Sequence, residues 1–421
     1  MSESAIQIDA KELHRALLPV RNVVEVRNTI PILSHVLCVW DAEAQKLTIS
    51  ATDLDIDLMI TVDASGQGEN FAFTLPAIEF RGYVRAIVES YGTPPPIVIA
   101  RGDLTDNGDR IIELSAKDTT LALTSLSVAD WPRMPFDPER SPDAVVGVGR
   151  TFIERLDWVR SAVSSEKTRY YLNGVFVHPV EDGGLALVAT DGHRLNREII
   201  YRQASLDFPG VIIPRKVVAL ICSLSDAPES ISIYADQKKI EIEYDGICIA
   251  AKLIDGPFPD YEKILPDGDG LLPGITVNSL DLYRAALAMR SVVVPDMPDI
   301  DPETDFDEWG DFVGDGDEIA SWRVPVSFSL EPSARLALHA SGQYSPHHVA
   351  GAVIAAEYAD GATGRVALQS SYLIDLLEFE TGLVTLSPSG FSAKEKIANG
   401  PVRFDFDGKP DRVAVIMPMR V

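Results

Sequence analysis

Apolar and polar residues alternate along TIPILSHVLCVWDAEAQKLTISATD, a stretch that ends at Asp53. The alternation comes in two runs separated by a polar turn, and a period of two predicts a strand, a turn and a second strand. TRYYLNGVFVHPVEDGGLALVATD has the same plan and closes on the same Ala-Thr-Asp, with Asp191 standing 138 residues after Asp53. The same offset carries TLPAIEFRGYVRAI around Pro76 onto VIIPRKVVALI around Pro214. In each case a predicted strand meets Pro and a helix follows, Pro being tolerated where a helix begins. Further on, ADWPRM at Trp131 and Pro132 answers to GPFPDY at Phe258 and Pro259.

Residues 1–140 and 141–268 are thus two copies of one unit. A third copy, 269–421, begins the same way: ITVNSLDLYRAALAMRSVV parallels IQIDAKELHRALLPVRNVV and VGVGRTFIERLDWVRSAVS. Each is a short strand and then a helix with an apolar residue two positions before an Arg: Leu13 and Arg15, Ile153 and Arg155, Leu282 and Arg284. Two helical residues are about 200° apart, so the Arg is predicted to point away from the packed face. Arg81, Arg85, Arg215 and Lys216 fall on the second helix of the first two copies, with SSYLIDLLEF the matching stretch of the third. The expected fold class is α+β, three repeated domains each with two helices packed on antiparallel sheet.

The chain has 421 residues, which suits two or three domains of roughly 100 to 200 residues. No run of about 18 apolar residues is present, and the first residues lack a signal-peptide pattern, so a soluble cytoplasmic protein without membrane association is expected. Cys38, Cys222 and Cys248 are widely spaced in apolar contexts and form no CxxC pair, so buried free thiols are expected. The formal charge of −26 argues against nucleic acid as a partner only if the charge is uniform. An acidic chain can still be basic along one surface, and Arg and Lys at matching places in the repeats fit such a surface for phosphates.

TDGHRL, residues 190–195, holds residue types that move protons and bind anions. No HExxH, GxSxG or Walker loop accompanies it. VGVGRTF has Phe152 where a dinucleotide fingerprint needs its third Gly. Asp53, Asp55 and Asp57 alternate as a carboxylate ladder would, but the second copy keeps only Asp191, so a solvated strand face is the reading. No enzyme, metal or cofactor is expected.

RNTIPIL, RYYLNG, ATDGHRL, IPRK, DGPFPDY and the terminal VIMPMRV, in this order, resemble the β sliding clamp, the processivity subunit of the bacterial replicative DNA polymerase. The resemblance is close in the first two copies and looser in the third. It implies three clamp domains per subunit and a head-to-tail homodimer closed into a ring. It further implies duplex DNA passing without sequence-specific contact through a helix-lined hole. It also implies a peptide groove for the polymerase III α subunit, the clamp loader and other proteins bearing a clamp-binding motif. By this resemblance the groove is lined by Leu172, Thr190, Gly192, His193, Arg194, Leu195, Pro259, Lys263, Ile264, Ser370, Val415, Ile416, Met417, Pro418, Met419 and Arg420. Ser370 stands where the family has Val. Adaptable side chains such as Met417 and Met419 suit an extended apolar peptide on physical grounds as well.

The resemblance places Arg27, Tyr170 and Tyr171 against DNA, joining Arg81, Arg85, Arg155, Arg215 and Lys216 as DNA-contacting candidates. It places Leu121 and Leu123 at a dimer edge facing the helix that ends near Met289. The third copy departs from the family in an acidic insertion at about 295–322, with eleven Asp or Glu and no Lys or Arg. This composition predicts a solvated loop. A calcium loop starting at Asp305 would have Trp309 at position five and Gly316 in place of the bidentate Glu. The insertion has three open roles: screening the groove, occupying it through Trp309 or Phe312, or decorating the surface. Two further readings stand beside the clamp: a clamp-derived scaffold or regulator that is not loaded on DNA, and a hydrolase using the acidic loop.

Overall fold

Asp9 caps the first helix, α1 (Ala10–Leu17), by accepting from the backbone N–H groups of Lys11 and Glu12 at 2.9 and 3.0 Å. Ala10, Leu13, Ala16 and Leu17 form its buried stripe and Arg15 is exposed, as the spacing predicts. Helix α2 (Ala77–Ser90) starts after Pro76 and buries Ala77, Phe80, Val84 and Ile87. The remaining helices are α3 (Arg150–Arg160), α4 (Arg215–Cys222), α5 (Ser279–Val293) and α6 (Ser370–Leu377).

The structure is a computed structural model that describes residues 5–24, 29–105, 109–132, 144–147, 150–181, 183–201, 210–224, 230–234, 238–244, 246–266, 270–293, 325–331, 335–341, 349–358, 365–392, 397–398 and 400–419. Arg27, Arg420 and the acidic insertion at 295–322 lie outside the described residues. Two compact units emerge: Met1–Ile153 with Ala219–Leu253, and Glu154–Val218 with Ile254–Val421.

The first unit holds two sheets. Thr119–Ser125 is the last strand of a five-stranded sheet, paired to Arg110–Ala116. An eight-stranded sheet joins the first two copies of the repeat: Ile56–Asp63 of the first pairs antiparallel with Ile247–Lys252 of the second, Leu58 opposite Ile249. The second unit is built on a fourteen-stranded sheet with the equivalent junction one copy further on. There Arg194–Tyr201 pairs antiparallel with Lys409–Ile416, Leu195 opposite Val415. Sheets that run through the repeat boundaries explain why the compact units do not coincide with the copies.

The copies share hydrogen bonds as well as sequence. In the first, Thr52 Oγ1 accepts from Leu54 N at 3.1 Å, and Asp53 Oδ1 accepts from Asp55 N and Ile56 N at 2.9 and 2.7 Å. In the second, Thr190 Oγ1 accepts from Gly192 N at 3.1 Å, and Asp191 Oδ1 accepts from His193 N and Arg194 N at 2.8 and 2.9 Å. The third residue of each turn has positive φ, 77° at Leu54 and 89° at Gly192. The side chains of Thr and Asp hold the backbone in a turn that neither sheet supplies. Asp55 pairs with Lys252 at 2.8 Å.

A buried ionic cluster ties the last copy to the second inside the second unit. The Arg412 guanidinium reaches Glu198 at 2.6 Å, donates to Glu380 and lies 4.4 Å over the Trp158 ring. Lys409 meets the other Glu380 oxygen at 2.7 Å, and Arg155 meets Glu198 at 3.3 Å. Both carboxylates are almost wholly buried, their side chains 4% and 1% exposed. Asn196 binds the Trp158 carbonyl at 3.2 Å and Trp158 Nε1 donates to the Leu376 carbonyl, so the helices and strands of this region share one polar framework.

Cys38, Cys222 and Cys248 are free thiols. Cys38 is buried and its pKa is pushed up by that burial, whereas Cys222 and Cys248 are only half-buried. Among the described residues no helix is long and apolar enough to cross a membrane.

Candidate functional site

The Thr190–Arg194 turn sits at the edge of the second junction, where the C-terminal strand ends. Met417 N donates to the His193 carbonyl at 2.8 Å, extending the ladder one residue past Ile416. Met419 N then donates to the Ala367 carbonyl at 2.8 Å, so the tail passes from the turn to the strand that leads into α6. Met417 is 40% exposed and Ile264 46% exposed, two large apolar side chains open to solvent. Leu195 and Val415 are buried in one cluster with Ala186, Val188 and Tyr261, against which Phe258 and Leu265 pack. Phe176 and Phe258 stack at 4.8 Å and stiffen that cluster.

The predicted groove residues divide by depth. Gly192, His193, Lys263, Ile264 and Met417 are exposed, while Arg194, Pro259, Pro418 and Met419 are half-buried at the rim. Leu172, Thr190, Leu195, Ser370, Val415 and Ile416 are buried below. Ser370 is fully buried at the start of α6 and its Oγ has no hydrogen-bond partner. This hydroxyl is therefore destabilising, since a buried polar group without a partner costs about 1–3 kcal/mol.

Two features of the turn were not legible beforehand. Arg194 binds Asp191 at 3.0 Å and Asp375 at 2.6 Å and lies 4.4 Å over the Tyr372 ring. Burial opposes its charge, but Asp375 and Asp191 outweigh that effect and hold its pKa above the ordinary arginine value. This arginine fastens the turn to α6. Arg169, bonded to Glu166 at 2.6 Å, packs against Gly192 on the other side, where an added Cβ would strike its Nη1. Asp375 and Tyr372 lie about 180 residues from the turn, and nothing in the repeat pattern pairs them with it.

His178 supports the segment that carries the predicted groove residues Pro259, Lys263 and Ile264. Its Nδ1 faces the Pro179 carbonyl at 2.8 Å, which can only accept, so Nδ1 carries the proton and Nε2 accepts from the Tyr261 hydroxyl at 2.8 Å. Burial lowers the His178 pKa, against smaller raising effects from Pro179 and Glu262. Burial also pushes the Tyr261 phenol up to about 12. A histidine depressed in the folded state contributes stability that is full above its unfolded value of about 6.5 and is lost as pH falls through the folded value. The urea midpoint of the wild-type chain should therefore fall between pH 7 and pH 5, and His178→Gln should show a smaller fall. An equal fall in both would remove His178 from this account.

The other predicted residues are placed as follows. Arg81 and Arg85 lie one turn apart on α2; burial and the like charges of Arg21 and Arg85 lower the Arg81 pKa, a local concentration of positive charge. Arg85 also pairs with Glu89 at 3.6 Å. Tyr170 is 53% exposed and meets Tyr171 edge-on at 5.8 Å. Arg215 and Lys216 are half-buried at the start of α4.

Arg155 corrects the expected outward direction: its Nη1 donates to the Ile199 carbonyl at 2.9 Å and it joins the buried cluster through Glu198. It adjoins Leu156 and precedes Val159 by one turn, both fully buried, so its long stem starts at the margin of the packed face. Met289 is likewise turned inward, 1% exposed, on the stripe formed with Leu282, Ala285 and Ala286. Leu121 is half-buried and Leu123 buried on the outermost strand of the five-stranded sheet.

Comparison with known proteins agrees with this architecture. Family models described as the N-terminal and central domains of the DNA polymerase III beta subunit match residues 5–135 and 149–260. The beta sliding clamp of Caulobacter vibrioides is 36% identical over 293 residues, 67% of this chain and 73% of the relative. That of Pseudomonas aeruginosa is 32% identical over 272 residues, 63% of this chain and 70% of the relative. Among solved structures, the Caulobacter crescentus beta sliding clamp superposes with a TM-score of 0.78 at 26% identity, covering 100% of this chain and 99% of that one. The Bartonella birtlesii clamp bound to griselimycin gives the same TM-score and identity and covers 100% of both chains. The chain belongs to the DNA polymerase III beta subunit family, the β sliding clamps.

Proposed function

We propose that this clamp works as a head-to-tail homodimeric ring around duplex DNA and tethers the replicative polymerase, the clamp loader and other motif-bearing proteins through the groove at 190–195. The observation that carries the ring is the repeated junction. Twice within the chain, the strand after an Ala-Thr-Asp turn pairs with the last strand of the next copy. One partner of each kind is left over. Thr119–Ser125, the last strand of the first copy, pairs on one side only among the described strands. Among the described strands, residues 349–355 of the third copy pair only with Arg335–Ser341. Joining these edges between two subunits repeats the internal junction and leaves neither edge open, which supports dimerisation through Leu121, Leu123 and the strand around Val353.

Val353 is 56% exposed on that open strand. Val353→Asp should convert the dimer to monomers by analytical ultracentrifugation at micromolar concentration with the thermal melt unchanged. A stable dimer in that variant would contradict the proposed edge. The domains are drawn at 1–140, 141–268 and 269–421, following the copies. Arg81, Arg85, Arg215, Lys216, Tyr170 and Tyr171 are assigned to DNA, where Arg and Lys bind phosphate and Tyr lies against sugar or base. No catalytic step is assigned: Asp191 is fully engaged by two backbone amides and Arg194, an arrangement that holds a turn. The proposed location is the bacterial cytoplasm, where replication takes place.

A further inference from the structure

Strand Arg194–Tyr201 carries an arginine, Arg197, that no acidic side chain among the described residues meets. Leu195, Arg197 and Ile199 share one face of it, because strand side chains alternate. Leu195 belongs to the apolar cluster beneath the groove and Ile199 packs against that cluster. Arg197 stands between them, half-buried, opposite Val188 on one neighbouring strand and Val413 on the other. Its Nε is buried without an acceptor, and among the described residues no Asp or Glu forms an ion pair with it.

The other cations described around the groove are engaged. Arg194 is held by Asp191 and Asp375, Lys263 by Asp260 at 2.6 Å, Arg169 by Glu166, and Arg403 by Asp405 at 2.8 Å. In a chain with 63 acidic against 37 basic residues, a half-buried guanidinium whose Nε lacks an acceptor stands out. Its charge reaches the groove wall, acting on the Tyr261 phenol in opposition to Glu262 and Asp260. Two residues along a strand span about 7 Å, so Arg197 is rooted that far from Leu195, within reach of a carboxylate that directly follows an anchor seated over Leu195. A carboxylate matches a guanidinium fork in shape and charge, and a partly dehydrated cation strengthens the bond.

We propose that Arg197 gives the groove a carboxylate subsite, so that it selects peptide tails whose apolar anchor is followed directly by a carboxylate. The inference rests on the groove reading above. The carboxylate comes either from the chain terminus or from an acidic side chain just after the anchor. Glu262 on the rim works against anions that approach without an apolar anchor.

The test uses the full-length chain and three labelled peptides: one ending in Leu-Phe with a free carboxylate, its C-terminal amide, and that amide extended by one Glu before the amide group. By fluorescence anisotropy the free-carboxylate peptide should bind wild type about tenfold more tightly than the amide. Recovery of affinity by the Glu extension assigns the subsite to an acidic side chain as well; no recovery confines it to the chain terminus. Arg197→Met should erase the difference while leaving affinity for the amide unchanged, and Arg197→Lys should keep part of it. Equal binding of carboxylate and amide peptides to wild type, or a difference that survives in Arg197→Met, would overturn the subsite but leave the groove standing. Failure of all three peptides to bind wild type would overturn both.

Discussion

Arg412→Ala is expected to destabilise the unit formed by Glu154–Val218 and Ile254–Val421 by about 3–5 kcal/mol, read from urea unfolding. The side chain satisfies two carboxylates, Glu198 and Glu380, that are almost fully buried. Removing it leaves both charges without their main partner, since of these two carboxylates Arg155 meets Glu198 and Lys409 meets Glu380. Apolar burial lost from Arg412 over Trp158 adds to the cost. Replacing Arg412, Glu198 and Glu380 together by Met, Leu and Leu should recover most of the loss, because the penalty belongs to the uncompensated charges. A loss under about 1 kcal/mol for the single variant would mean that water reaches the cluster and that it holds nothing together.

Deleting Met417 to Val421 is expected to weaken binding of a polymerase-tail peptide by about a hundredfold or more, while the sedimenting species stays a dimer. Met417 closes the ladder with His193, and Met419 bridges to Ala367, so both the exposed apolar wall and its support depart. The junction between Arg194–Tyr201 and Lys409–Ile416 remains, because its register ends at Ile416. Isothermal titration of the truncated and intact chains with one peptide gives the comparison. Equal affinity would move the groove elsewhere, and a monomer would show that the tail serves assembly instead.

The sequence discloses what is local or repeated. The Ala-Thr-Asp turns were visible as text, and their matching hydrogen bonds follow because Thr and Asp act on amides two and three residues away. Helix stripes such as Ala10, Leu13, Ala16 and Leu17 are equally local. The clamp of Arg194 by Asp375 and the cluster around Arg412 join residues far apart in the chain, and no periodicity encodes such partners.

Arg155 shows the limit of an angular rule: the rule places a Cα–Cβ bond, while a long flexible stem decides where the charge rests. Met289, on the helix expected to face the dimer edge, is buried by its own helix stripe. Family resemblance brought together the predicted groove residues, yet only the structure separates the exposed ones, such as Ile264 and Met417, from the buried ones, such as Leu195 and Ser370. Arg197 carries no signal in the sequence, because what sets it apart is a buried Nε without an acceptor.

The central claim is that paired strand edges close two copies of this chain around DNA, so that enclosure and not affinity keeps it there. Loading the clamp on a singly nicked plasmid circle with its clamp loader and washing at high salt tests this directly, because salt removes phosphate-bound protein but not a threaded ring. The account predicts that the clamp stays with the circle through the wash and is released when a restriction enzyme cuts it. Loss in the wash from intact circles, or equal retention on cut and uncut DNA, would contradict it.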